Sequence, residues 1–189
     1  EVALMDSGSW DMPLGEVSIN TELAALIKKY AVHATSDDIA HRFEHSLEVQ
    51  VPFLQALQDN LKIVPLVISH ISYAKCRETG EAIARAIKDY KKPVLIVAST
   101  DMTHYESREQ ASAKDKMALK HIEKLDPQGL YETVIGQRIT MCGIMPTTIT
   151  LTAAINLGAK KAELVRYTDS GEASGDTSQV VGYAGFVIS

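Results

Sequence analysis

The chain has 189 residues, of which 46% are hydrophobic and 23% are charged, and its formal net charge is -5. A chain of this length can bury a substantial core, so we expect one domain over residues 1–189. The negative charge and the lack of a dense Lys/Arg cluster argue against nucleic acid and anionic membranes as partners. The apolar runs are far shorter than the ~20 residues that a membrane span needs. We therefore expect a cytoplasmic protein.

The first half of the chain alternates short apolar runs with helical patterns. Val2 to Met5 is predicted as a strand, and the chain reaches it without a methionine start, so we expect an N-terminal strand and helix of the fold to be missing. The stretch from Trp10 to Ser18 is rich in turn residues. Asn20 is a typical helix cap, and the spacing predicts a helix as far as Tyr30. Apolar residues at helical spacing also follow Ser46, with Pro52 at a kink or first turn.

The second half predicts a covered sheet. Two almost continuous apolar runs, Lys62 to Ser69 and Pro93 to Ala98, flank a helix over about residues 75–90. Such runs are typical of strands with helices on both faces, so we predict an α/β fold with a central, largely parallel or mixed sheet. Further helices are predicted over about 109–125, from Pro127, and from near Pro146 to Gly158. Two strands, 162–167 and 180–188, end the chain.

The strongest chemical signal follows the predicted strand at residues 94–98. Asp101 and His104 are three residues apart just beyond that strand, at the edge of an open α/β sheet where ligands bind. A carboxylate that accepts a hydrogen bond from one imidazole nitrogen fixes the tautomer of the histidine, which suits a general acid/base or a metal site. The alternative is an aspartate that caps the next turn beside a surface histidine.

Two other segments carry candidate residues. Glu44 and His45 are adjacent at the predicted start of a helix, where the alternative is a capping Glu44 and a half-exposed His45. Cys142 precedes Gly143 and a predicted helix, a position that favours the thiolate form of the side chain. A thiolate serves as a nucleophile or a soft metal ligand, whereas the alternative is a small buried residue. Cys76 lies among apolar neighbours within a predicted helix, and we assign it to the core.

Four motifs in the same order resemble the Memo family. They are EHSLEVQVPFL from Glu44, Ser99-Thr100-Asp101 with His104-Tyr105, Cys142-Gly143 with Pro146, and Asp176 with Val181-Gly182-Tyr183-Ala184. The resemblance covers essentially the whole chain. It implies a fold similar to that of class III extradiol dioxygenases, with a pocket that binds iron or copper in some members. Prokaryotic relatives are named as parts of an AmmeMemoRadiSam system, which implies a radical SAM protein as a partner.

The resemblance also implies roles for individual residues. Cys142 matches the cysteine metal ligand of the family. His104 and Asp101 match an acid/base pair of the pocket, and His45 with Glu44 lies in a motif that lines it. The two metal-binding histidines of the family precede the segment that this chain matches. We therefore expect a family-type site to be empty or weak in this chain, or rebuilt from His45, His104 and Asp101.

Three functions are compatible with these residues. The first is a non-haem, metal-dependent oxidoreductase that resembles a dioxygenase, in which His104 moves a proton of a small substrate. The second is a non-catalytic protein that binds a metal, a peptide or a partner protein, because one fold hosts many functions. The third is a thiol hydrolase in which Cys142 is the nucleophile and His45 or His104 is the base.

Overall fold

The structure is a computed structural model that describes residues 2–189. The chain forms two compact units. The first unit ends at Ser99, and the second comprises Thr100–Ser189. Residues 2–189 contain three small sheets and seven α-helices, so the predicted α/β class is confirmed. No helix in this part of the chain has the length and apolar character needed to cross a bilayer.

The first unit contains two mixed three-stranded sheets. One has the order β4-β1-β6, built from Ala34–Ser36, Val2–Leu4 and Leu66–Ile68; the other has the order β2-β3-β5, built from Ser9–Met12, Gly15–Ile19 and Lys62–Ile63. Strand β1 is parallel to β4 and antiparallel to β6. The turn-rich stretch predicted at residues 10–18 is a hairpin of β2 and β3, and Gly15 closes its turn with φ 110°, a conformation that favours glycine.

The described part of the first unit contains three α-helices. They are α1 (Thr21–Tyr30), α2 (Val51–Gln55) and α3 (Tyr73–Tyr90). The side chain of Asn20 accepts a hydrogen bond from the backbone N–H of Leu23, as its predicted role as a cap requires. Helix α2 is shorter than the apolar spacing predicts. Phe53 and Leu57 are exposed, so the apolar stripe of this segment lacks the packing that stabilises a longer helix.

The segment Pro93 to Ala98, predicted as a strand, has no regular secondary structure and pairs with no strand of residues 2–189. Its side chains alternate between half-buried and exposed positions, and Leu95 is 74% exposed. The apolar run indicated burial on both faces, but a ladder also needs a neighbouring backbone. Ser99, at the end of this segment, donates to the carbonyl of Ser46 at 2.8 Å.

The second unit places helices against an antiparallel sheet with the order β7-β9-β8. Its elements are β7 (His104–Glu106), α4 (Arg108–Glu123), α5 (Pro127–Gly136), α6 (Ile144–Leu157), β8 (Ala162–Asp169), α7 (Gly171–Ser174) and β9 (Val180–Ile188). Helix α4 packs on all three strands, and α5 packs on α4 and α6. The predicted helices and the last two strands are therefore present, whereas β7 was not predicted.

A polar cluster joins α4 to α5 in the second unit. Asp126 caps α5 by accepting a hydrogen bond from the Gly129 N–H at 2.8 Å, and its other oxygen lies 2.9 Å from His121 Nδ1. Because a carboxylate only accepts, Nδ1 donates, and His121 Nε2 accepts from the Thr133 hydroxyl at 2.9 Å. The hydrogen bond from Gly129 lowers the pKa of Asp126 below its ordinary value of 3.8, and His121 contributes to the same shift.

This cluster predicts a pH-dependent contribution to stability. We expect Asp126→Ala to lower the free energy of unfolding by about 1 kcal/mol at neutral pH, the usual effect of losing a cap. The folded carboxylate has a pKa below that of the unfolded chain, so its contribution is complete above the unfolded value and is lost as the pH falls through the folded value. Urea unfolding at neutral pH and at about pH 3 measures the loss.

Asp126→Asn is the matched control, because asparagine also caps helices well. It should retain most of the stability at neutral pH and depend less on pH than the native carboxylate. An Asp126→Ala chain as stable as the native chain at neutral pH would contradict the interpretation.

Candidate metal centre

Three of the predicted residues meet in the second unit. Asp101 lies in the loop that leads into β7, His104 is the first residue of β7, and Cys142 lies two residues before α6. One ligand atom from each residue, a carboxylate oxygen, an imidazole nitrogen and the thiol sulfur, lies within 4.8 Å of the other two. The structure thus brings together two residues three positions apart and a third that is distant in sequence.

The ring of His104 is oriented by Thr140. His104 Nδ1 lies 2.7 Å from the Thr140 carbonyl oxygen, and the Thr140 hydroxyl accepts from the His104 backbone N–H at 2.7 Å. A carbonyl oxygen only accepts, so Nδ1 carries the proton and donates it. The lone pair of the neutral ring is then on Nε2, which lies 3.6 Å from Asp101 Oδ2. This is the arrangement by which a backbone carbonyl prepares a histidine as a ligand or a base.

The thiol of Cys142 is held by the backbone of the same loop. The Asp101 N–H donates to the sulfur at 3.2 Å, and the Thr100 hydroxyl lies 3.8 Å from it. The Thr100 hydroxyl also accepts from the Gly143 N–H at 2.8 Å, just before α6 begins. These bonds join the loop that carries Asp101 to the segment that carries Cys142. The thiol is exposed, so a ligand or reagent can reach it.

The backbone is irregular where it presents His104. The register of β7 against β9 shifts between His104 and Glu106, and Tyr105 between them has φ 58°. A bulge re-aims side chains at a strand end, and positive φ is unfavourable for a tyrosine. Such irregularities are common at functional sites. His104 is therefore placed by a bulged strand, and not by a loop after a strand at residues 94–98 as the sequence predicts.

Glu44 and His45 belong to the first unit, so their predicted place in the same pocket stays a prediction. The Glu44 carboxylate accepts from the backbone N–H groups of Ser46 and Leu47 and from the Ser46 hydroxyl. Burial raises the pKa of Glu44, but these hydrogen bonds outweigh it and lower the pKa overall. Glu44 thus holds the turn at Ser46 and Leu47, and no side-chain hydrogen bond from residues 2–189 caps the helical turn at residues 48–50 or α2. The His45 carbonyl accepts from the Val49 N–H at 3.3 Å.

Sequence reasoning missed three residues around the cluster. Thr100 and Thr140 lie within two residues of Asp101 and Cys142 in the sequence. The residue type alone, however, does not indicate which side chain a threonine contacts. Asp115 is fully buried in α4, and its carboxylate accepts a hydrogen bond from the backbone N–H of Thr103 in the loop before His104. The burial of Asp115 could have been predicted from the sequence, because Asp115 lies on the same apolar face of α4 as Ala111 and Ala118.

A shallow depression elsewhere in this unit is a weaker candidate. It lies at the start of α4 and is lined by residues that include Ser107, Arg108, Lys116 and Thr177. Arg108 already donates to both oxygens of Asp169, at 2.7 and 2.8 Å, so its charge is largely satisfied within the protein. The cluster of Asp101, His104 and Cys142 is the stronger candidate, because it brings together three potential metal ligands.

Comparison with known proteins gives consistent matches. A family model described as Memo-like protein matches residues 1–187. A MEMO1 family protein of Methanopyrus kandleri is 43% identical over 99% of this chain and 66% of its own length. Those of Methanothermobacter thermautotrophicus and Aquifex aeolicus are 40% and 38% identical, over 97% and 99% of this chain and 66% and 69% of their own lengths. The chain spans about two thirds of the length of these relatives.

The two cysteines should differ in reactivity. Cys142 is exposed, whereas Cys76 is 0% exposed and burial raises its pKa to about 11. The thiolate is the reactive form, so iodoacetamide at neutral pH should modify one thiol of the folded chain and both thiols in denaturant. Peptide mass spectrometry identifies the modified residue. Cys142→Ser should abolish the native-state modification, and Cys76→Ser should leave it intact. Equal rates at both cysteines of the folded chain would contradict the structure.

Proposed function

This chain belongs to the Memo family, and on that premise we propose that Asp101, His104 and Cys142 bind a redox-active transition metal, iron or copper. The single observation that carries the proposal is the convergence of their three ligand atoms within 4.8 Å of one another. The proposal concerns the cluster in this chain.

The chemistry of the three donors fits such a metal. Thiolate and imidazole are preferred ligands of zinc, copper and iron, and a carboxylate adds a negative charge. A metal ion lies about 2.0–2.3 Å from each such ligand. Metal binding would therefore require only a small approach of the three side chains toward one another. Three protein ligands would leave a coordination position open for a substrate. The donors alone do not distinguish iron, copper and zinc; the family resemblance favours iron or copper.

The surrounding residues supply what a metal ligand needs. The carbonyl of Thr140 accepts a hydrogen bond from His104 Nδ1 and leaves Nε2 free to bind. The N–H of Asp101 donates to the Cys142 sulfur, which holds the sulfur in place as a ligand. Partners of this kind are part of a metal site because they orient its ligands.

The activity that we propose for the metal-bound chain is a dioxygenase-like oxidation of a small, electron-rich substrate. When bound, iron or copper would supply redox chemistry and act as a Lewis acid. The contribution of the protein would be to hold that metal and to leave a coordination position open to the substrate.

The second candidate is a metal-binding role without catalysis. The exposure of Cys142 and of the Asp101 side chain favours it, because a group from another protein could reach a metal held there. A radical SAM protein, the partner implied by the family resemblance, would be one such protein.

Metal titration tests the site directly. We expect the native chain to bind about one Fe²⁺, Cu²⁺ or Zn²⁺, with affinity that falls at least about tenfold in Cys142→Ser and in His104→Gln. Isothermal titration calorimetry and metal analysis after gel filtration measure this. Cys76→Ser and His70→Gln are the matched controls, and they should bind like the native chain. Native-like binding by Cys142→Ser would rule out the proposed site.

Oxygen consumption separates catalysis from binding. We expect the Fe²⁺-loaded chain to consume dioxygen in the presence of catechol, measured with an oxygen electrode. Asp101→Ala should bind Fe²⁺ more weakly and lose most of this activity, because Asp101 is one of the three proposed ligands. A chain that holds Fe²⁺ but consumes no dioxygen with catechol would favour the binding role instead.

A further inference from the structure

Asp115 is a buried carboxylate that the proposed metal site does not use directly. It lies in α4 and is fully buried. Removing a carboxylate from water is costly unless hydrogen bonds hold it in place. Burial of the Asp115 carboxylate is therefore expected only where neighbouring groups need a hydrogen-bond acceptor.

The first contact is with the loop that carries the metal-site residues. The backbone N–H of Thr103 donates to Asp115 Oδ1 at 2.9 Å. Thr103 lies between Asp101 and His104 in sequence and is itself fully buried. Asp115 therefore fixes the loop at the residue directly before His104.

The second contact holds the carboxylate itself. The hydroxyl of Tyr167, on β8, donates to Asp115 Oδ2 at 2.8 Å. Burial raises the pKa of Tyr167, and the bond to Asp115 raises it further, so the phenol remains a donor. Tyr167 thus limits the positions that the Asp115 carboxylate can take.

Gly182 of β9 also holds the backbone of this loop. Its carbonyl accepts from the Met102 N–H at 2.8 Å, and its N–H donates to the Thr103 carbonyl at 2.9 Å. A Cβ at position 182 would lie 2.2 Å from Asp115 Oδ2, so any other residue would displace the carboxylate. The backbone of Met102 and Thr103 is therefore held by β9 and by Asp115 together.

We propose that Asp115 is a positioning residue of the metal site, which sets the separation of Asp101 and His104 by fixing the Thr103 amide between them. The inference rests on the proposed metal-binding function. Asp115 does not touch the metal. Removing it would let the loop shift, and a shift of its two ligand residues weakens a site built on their spacing.

Metal affinity and a spectroscopic signature test the inference. We expect Asp115→Ala to weaken Co²⁺ binding by about 10–100-fold, the usual range for residues that support ligands, and to change the visible absorption of bound Co²⁺. Asp115→Asn should restore affinity to within about threefold, because its amide oxygen can still accept from Thr103 and its NH₂ can donate to Tyr167. Leu119→Ala, one turn further along α4 and also buried, is the control for lost stability and should retain native affinity and spectrum.

Hydrogen exchange provides a measure that does not depend on metal. In the metal-free chain, Asp115→Ala should accelerate exchange of the Thr103 amide relative to that of Met102, whose own bond to Gly182 is unaffected. In Leu119→Ala the ratio of the two rates should not change. If Asp115→Ala does not fold, Tyr167→Phe serves in its place and should cause the same changes to a smaller extent.

The outcomes separate the two proposals. A native chain that binds no metal contradicts the proposed function, and the exchange ratio then still decides whether Asp115 fixes the loop. Asp115→Ala with native Co²⁺ affinity and a native exchange ratio would overturn the inference. Equal losses of affinity in Asp115→Ala and Leu119→Ala would also overturn it, since they would reflect stability alone.

Discussion

The hydrogen bond between His104 Nδ1 and the Thr140 carbonyl is the constraint on which the candidate site depends. It assigns the proton to Nδ1 and leaves Nε2 as the free nitrogen near Asp101. If the ring turned over, its donor nitrogen would face the cluster and could neither bind a metal nor accept a proton. The chemistry of the site therefore depends on a main-chain acceptor supplied by a segment 36 residues away in sequence.

Several other hydrogen bonds near that one hold the same short loop in place. Thr100 connects the loop to the segment before α6, the Asp101 amide contacts the Cys142 sulfur, and Gly182 and Asp115 hold the backbone just before His104. Each bond alone contributes little to stability. Together these bonds restrict the loop to few conformations. A site formed by three side chains needs such restriction, because small displacements separate its ligands.

The sequence predicted the helices better than the sheets. Caps and breakers are local, so Asn20, Pro127 and Gly158 marked helix boundaries that the structure contains. Strand pairing is not local, and the apolar segment at residues 93–98 therefore looked like a buried strand although no described strand pairs with it. The candidate residues were recognisable by chemical type and by resemblance to the Memo family. The supporting roles of Thr140 and Asp115 were not, because they arise from backbone contacts that no spacing rule encodes.

X-ray absorption spectroscopy of the metal-loaded chain is the most direct test of the central claim. The account predicts one sulfur neighbour at about 2.3 Å, together with nitrogen or oxygen neighbours at about 2.0–2.2 Å for zinc. The sulfur contribution should disappear in Cys142→Ser and persist in Cys76→Ser. A spectrum of the native chain with only nitrogen and oxygen neighbours would contradict a site built from Asp101, His104 and Cys142.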